Sequence, residues 1–424
     1  MRTLFHNARL IDPASGHDGP GAVLVENGLI ADWGEALAVS GNTATVDCNG
    51  LVLAPGLIDL RVKTGEPGEE SRETLETASR AAMAGGITSM VVMPDTSPVV
   101  DDVALLEFIQ RRGGDAGGAR VMAAGALTQA LKGEAMAEIG LMGEAGAVFF
   151  TDVDRPVRDA GVLKRAMSYA AARGAVVFSR PDTEDLSGRG VMNAGVEAAR
   201  KGLSGMPHEA EWIGAARDIF LAEATGVRLV IDLASTGRTL ELVSEARARG
   251  ADVHATVAAF SLHFNEVDVG DYLTYCKTRP PFRQEAERLA CIEAVARGEV
   301  AAVVSAHDPQ PPEAKRLPFG EAEFGAAGLE TLLATMTGLV ADGHMDLITA
   351  LRPLTSGPAD LLGLPQGRLA EGAPADLTLI DVQKPWLCAR EDLVSRSLNS
   401  PYDGRRLTGR AVRTVVGGRT VFGT

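Results

Sequence analysis

Histidine is scarce in this chain and cysteine scarcer, with seven and four residues among 424. Cys48, Cys276, Cys291 and Cys388 stand far apart without a Cys-x-x-Cys pair, which excludes a disulfide framework and a cysteine-held zinc knot. Reduced, buried thiols are expected. No uninterrupted apolar run nears the roughly 18 residues of a membrane helix, and Met1-Arg2-Thr3-Leu4-Phe5-His6-Asn7-Ala8 has no apolar signal-peptide core. A cytoplasmic protein without membrane contact is expected. Positive charge is in deficit, 41 Lys and Arg against 56 Asp and Glu, a formal net charge of -15. A carboxylate surplus repels phosphates, so nucleic acid is not expected as a partner.

What is present is an aliphatic, globular composition: 46% hydrophobic and 23% charged residues with only 4% aromatics. From Val52 onward, short β-rich runs alternate with helix-like segments. The runs are Leu57–Val62, Ile87–Met93, Arg120–Ala124, Ala147–Thr151, Ala175–Ser179, Val227–Leu233, Asp252–Val257 and Val300–Ala306. Helical segments such as Glu73–Ala84 and Glu209–Ala224 end in glycine, as helix C-termini prefer. Eight βα units imply a closed (β/α)8 TIM-like barrel over residues 52–365; strand count does not prove closure, so a doubly wound open sheet is the alternative. The chain ends, 1–51 and 366–424, carry short alternating strands and Gly-bounded turns. Neither end has a sufficient core alone, so the two are expected to pair into one small flanking β-sandwich domain.

Several short motifs then form a set: Pro55-Gly56-Leu57-Ile58-Asp59, Glu66-Pro67-Gly68, Ala84-Gly85-Gly86-Ile87-Thr88, Met93-Pro94, Gly190-Val191-Met192-Asn193, Gly328-Leu329-Glu330-Thr331 and Gly372-Ala373-Pro374-Ala375-Asp376-Leu377. With the tail Ser397-Leu398-Asn399-Ser400-Pro401-Tyr402-Asp403-Gly404, the chain resembles, nearly end to end, a dihydroorotase of the multifunctional-complex type in the amidohydrolase superfamily. The resemblance implies hydrolysis of dihydroorotate, or its closure from carbamoyl-aspartate, by zinc-generated hydroxide. It also implies a ligand set of His-x-His on strand 1, His after strands 5 and 6, an acid near strand 4 and an Asp base after strand 8.

This chain departs from that set. Arg61 and Lys63 stand in place of the two strand-1 imidazoles, Arg180 and Leu233 in place of the later ones, and Ala306 in place of the base. Gly65 replaces the Arg that clamps a substrate carboxylate, while Asp95 and Arg279 replace two Asn. Guanidinium has no lone pair for a metal, and zinc needs N, O or S donors. Asp152 and His307 are what the resemblance leaves of the chemical set. With Asp59 and Asp308 these residues define a vestigial pocket, in which the cations are expected to pair with Asp152 or neighbouring carboxylates. The expectation is a pseudoenzyme with no catalytic residues, metal or other cofactor, oligomeric and partnered with aspartate transcarbamoylase, as inactive members of the family imply. The alternatives are residual dihydroorotase or cyclic amidase activity using Asp152 and His307, and a pocket that retains anion binding.

Overall fold

The computed structural model describes residues 2–37 and 43–423; Met1 and Thr424, the outermost positions of the expected composite domain, lie outside the described residues. All eight expected barrel strands are present, as Leu57–Val62, Ile87–Val92, Arg120–Ala123, Phe150–Thr151, Val176–Ser179, Arg228–Ile231, Val253–Ala258 and Ala302–Val304. Each pairs in parallel with the next. The third switches partner midway, its continuation Gly125–Ala126 pairing with the fourth. Strand 1 meets strand 8 through a parallel bridge between Val62 and His307 and a 2.9 Å bond from Lys63 N to His307 O. That closes the barrel and excludes the open sheet.

A helix follows each strand: Leu75–Ala84, Val103–Asp115, Ile139–Glu144, Ala160–Ala172, His208–Thr225, Gly237–Ala248, Glu285–Ala296 and Leu332–Ala341. Four begin where a side-chain oxygen accepts from the first turn, at Thr74, Asp102, Asp159 and Thr236. Alternation along the strands divides the core. Phe150, Val177, Leu229 and Ile231 pack with the helices, while Phe149, Phe178 and Val230 fill the barrel interior, with Phe149 stacked on Phe178 at 3.9 Å. Among the described residues no helix is long and apolar enough to cross a membrane.

The chain ends join in one eight-stranded sheet. Its order is Arg419–Phe422, Arg406–Val416, Leu377–Leu387, Val52–Pro55, Arg2–Asp12, His17–Glu26, Leu29–Gly34, with Ala44–Asp47 added to Arg2–Asp12. Val52–Pro55 lies on the barrel side of the expected boundary at Leu51, yet it is the strand that links the N-terminal and C-terminal parts of this sheet. Phe5, Val23, Val25, Leu53, Leu377 and Val415 share the sheet's own core. The sheet is fastened to the barrel by hydroxyls that cap a helix end: Thr378 Oγ1 donates to Gly86 O at 2.6 Å and Thr414 Oγ1 to Met83 O at 2.7 Å. Gly86 has φ +82°, and a Cβ there would sit 2.7 Å from the Thr378 methyl, so both backbone conformation and close approach require glycine.

Candidate functional site at the barrel mouth

The C-terminal ends of the strands, where barrels of this kind gather their chemistry, hold a compact set of charges. Arg61 and Lys63 rise from strand 1 and Arg180 from the end of strand 5, and all three converge on Asp154, just past strand 4. Arg61 Nη2 lies 2.8 Å and Arg180 Nε 3.2 Å from Asp154 Oδ1, and Lys63 Nζ 2.5 Å from Oδ2. Lys63 Nζ also lies 3.0 Å from Asp95 and 3.1 Å from Asp308. Arg61 Nε lies 2.9 Å from Asp232, which is buried at the end of strand 6. Arg180 reaches Asp182 at 3.3 Å.

Burial opposes charge at Lys63, Arg61 and Asp154, and there the pairing outweighs it; at Asp232 burial prevails and raises the carboxyl. The Asp154, Asp308 and Asp95 carboxylates hold the Lys63 ammonium well above its usual pKa. Asp232 and Asp154 do the same for Arg61. In return Lys63, Arg61 and Arg180 hold Asp154 well below the usual carboxylate range, against the effect of burial. Lys63, Arg61 and Asp154 are therefore held in their charged forms against burial. What remains open between Arg61, Lys63, Asp154, Arg279 and Asp308, with Leu233 and Ala306 beside them, is a cavity of about 10 Å³, room for about one water.

Four residues expected in this pocket stand apart from it. Asp152 corrects the expected pairing: its carboxylate accepts from Leu127 N at 3.1 Å, Thr128 N at 2.8 Å and the Thr128 hydroxyl, and burial pushes its pKa up to about 6. It secures the loop after strand 3 and meets none of the three cations. His307 turns away from the cavity. Gly328 N donates to its Nδ1 at 3.2 Å, which places the proton on Nε2, 3.5 Å from Glu73 Oε2. Glu73 in turn accepts from the Ser395 hydroxyl and from Arg396 N at 3.1 Å, so His307 ties strand 8 to the C-terminal tail. Asp59 lies below the mouth, accepting from Ser305 N and Arg61 N at 3.2 Å, and burial pushes it up to about 6. Gly65 sits in a tight turn with φ +79°, its carbonyl accepting from Glu69 N at 2.6 Å; a Cβ there would meet Glu69 O at 2.5 Å. With this backbone no side chain fits at that position.

Three non-glycine residues at strand ends adopt left-handed backbone: Val153 with φ +55°, Leu233 with +55° and Ala306 with +49°. Asp, Asn and His tolerate this region best, and apolar residues gain nothing from it. Strain of this kind persists where the surrounding structure holds it. Behind the rim, two further buried lysines hydrogen-bond to backbone carbonyls, and Lys277 also lies over the Phe324 ring, 4.7 Å from its centroid. Lys277 Nζ donates to Gly320 O and Ala322 O at 3.1 and 2.5 Å, and Lys315 Nζ to Thr274 O and Glu323 O at 3.1 and 2.6 Å.

The donor set does not suit a zinc ion. The strand-1 positions are cations, and among the described residues no group of three or more His, Cys, Asp and Glu is arranged to hold a metal. Sequence reading passed over Asp232 and placed Asp152 ahead of Asp154. The available signal was charge count: three buried cations in one mouth need comparable negative charge nearby, and Asp154 and Asp232 directly adjoin the strand ends.

A closed eight-stranded barrel with its polar cluster at the C-terminal rim and a sheet from both chain ends defines an amidohydrolase-type scaffold. Residues 50–239 match the family model described as Dihydro-orotase-like, and residues 324–422 that of the Amidohydrolase family. A dihydroorotase of Syntrophotalea carbinolica is 39% identical over 422 residues, 100% of this chain and 99% of that one. Another, of Anaeromyxobacter dehalogenans, is 39% identical over 419 residues, covering 98% and 97%. Among solved structures, the L-hydantoinase (dihydropyrimidinase) of Arthrobacter aurescens matches with a TM-score of 0.90 at 25% identity, covering 99% of this chain and 96% of its own. The chain belongs to the dihydroorotase family.

Proposed function

We propose that this family member does not hydrolyse dihydroorotate, holds no resident metal, and serves pyrimidine synthesis as a cytoplasmic structural partner of aspartate transcarbamoylase. The observation that carries the non-catalytic part is the seating of Lys63 Nζ among Asp95, Asp154 and Asp308, with Arg61 and Arg180 on the same carboxylate. Cations without lone pairs occupy the strand-1 and strand-5 ends, and the open space beside them is about 10 Å³. The transcarbamoylase partner and the oligomeric state rest on the family resemblance alone.

A second reading, an active dihydroorotase, is the one the relatives' names favour, since the curated relatives cited above are called dihydroorotases. It needs a base and an electrophile at the cavity. Neither Asp152 nor His307 faces it: Asp152 is bonded to Thr128, and the His307 ring has Nδ1 on Gly328 N and Nε2 3.5 Å from Glu73. Elemental analysis of the purified protein beside a dihydroorotate hydrolysis assay separates the readings. The expected result is no stoichiometric zinc and no turnover; two zinc ions per chain with turnover establishes the second reading. For the partner, co-purification with the transcarbamoylase from native extract is expected. A transcarbamoylase that is stable and fully active without this chain removes that role.

A further inference from the structure

One helix of the barrel's outer ring is unlike its neighbours. His208–Thr225 is apolar on two sides. Ala215, Ile219 and Ala222 are buried toward the barrel, while the outward stripe carries Ile213, 40% exposed, Ala216, and Phe220, 65% exposed, with Trp212 and Leu221 partly buried beside them. Between Glu209 and Glu223 the outward charge is that of Arg217, whose guanidinium is drawn back onto Asp218 at 2.7 Å and Arg158 O at 3.3 Å. The flanking helices present Lys164, Arg165 and Ser168 on one side and Arg238, Glu241 and Glu245 on the other. A helix apolar all round is normally covered on both sides, and an exposed apolar stripe inside a charged margin has the anatomy of a protein contact.

Two features of the stripe point to its cover. The first is a palindrome. A second copy of the helix laid across it in the opposite sense, centred between Ala216 and Arg217, brings Ile213 of each copy to Phe220 of the other and Trp212 to Leu221, and the small Ala216 at the centre lets the backbones approach. Glu209 then faces Ala224, and Glu223 is neutralised by Arg249 of its own chain. The second is charge, complementary about the same centre. The turn Glu184–Ser187 lies level with the start of the helix, since Thr183 N donates to Ala210 O at 2.8 Å, whereas Ala160–Ala172 begins level with the middle, where Arg217 reaches Arg158 O. Arg158 pairs with Glu184, so turn and helix lie on one side. Rotation about the centre carries Lys164 and Arg165 of one copy to the exposed Asp185 of the other, and none of these three has an ion-pair partner among the described residues. Leu186, 45% exposed, widens the apolar contact at each end, toward the roughly 1,200 Å² or more that a stable interface buries.

We propose that the outward face of His208–Thr225 is the surface on which a second copy of this chain docks, antiparallel and about a twofold axis beside Ala216. Sedimentation equilibrium of the full chain is expected to show pairing, and Phe220→Glu to weaken it at least about 30-fold in Kd with the circular dichroism of wild type. Asp185→Lys is expected to weaken pairing about threefold at low salt, and Asp185→Lys combined with Lys164→Glu to restore it, a rescue that requires the two positions to meet across copies. A monomeric wild type, pairing indifferent to Phe220→Glu, or an absent rescue overturns the proposal. A monomer that binds the transcarbamoylase through Phe220 overturns it in favour of that partner. Should Phe220→Glu not fold, Ala216→Cys decides. The four native cysteines are buried, so mild oxidation is expected to link two copies through position 216, and a chain that stays unlinked overturns the pairing. Self-association is measured apart from hydrolysis and from transcarbamoylase capture, so it stands or falls separately from the function proposed above.

Discussion

Lys63 and Lys315 are the same side chain in two parts of one barrel mouth, and their surroundings drive them in opposite directions. Lys63 faces three carboxylates, whose full charges overcome burial and hold its proton far more tightly than usual. Lys315 is seated in backbone carbonyls. Burial dominates there, Lys277 opposes the help from Asp308, and the pKa is pulled down to about 8. Carbonyl dipoles orient an ammonium without neutralising it; only carboxylates do both. The first lysine is one half of an ion-pair cluster and the second is a clasp for the loop that reaches Glu323.

The largest break in this contrast is Lys63→Met, which leaves Asp95, Asp154 and Asp308 facing one another. Denaturant unfolding is expected to show a loss of about 3–5 kcal/mol, and a loss below about 1 kcal/mol would mean the cluster is solvated and unimportant. Arg61→Ala comes next, with an expected loss of more than about 2 kcal/mol because Asp232 keeps its burial without its partner; an unchanged thermal midpoint contradicts the pairing. The smallest effect is a pH dependence. Lys63 has a folded pKa above 10.5, so its contribution is complete below 10.5 and fades as pH climbs through the raised value. Lys315 has the reverse sign. Between its folded pKa of about 8 and the ordinary 10.5 the unfolded chain binds more protons, so stability gains with rising pH. The gap between wild type and Lys315→Met should shift in favour of wild type by on the order of 1 kcal/mol across that window. Parallel curves would show that the carbonyls neutralise Lys315 after all.

Much of this architecture was legible in the residues. Eight β-rich runs separated by glycine-ended helices gave the barrel, because parallel strands buried on both faces read as short apolar runs. The alternating chain ends gave the flanking sheet. The mouth was legible one side chain at a time: Arg61, Lys63, Asp95, Arg180, Arg279 and Asp308 do gather there. Their partners were harder to read. The positive φ of Val153 breaks the period-two pattern, so Asp152 turns to Thr128 while Asp154 enters the cluster. His307 is held by Gly328, 21 residues on, and faces Glu73, contacts that no local spacing encodes.

The left-handed bends at Leu233 and Ala306 have a consequence for how the rim can change. Their main chain already has the shape that Asn, Asp and His adopt more readily than apolar residues, so exchanging side chains there would require no rebuilding of loops. At these two positions the backbone leaves the choice of side chain open, whereas at Gly65 it closes that choice.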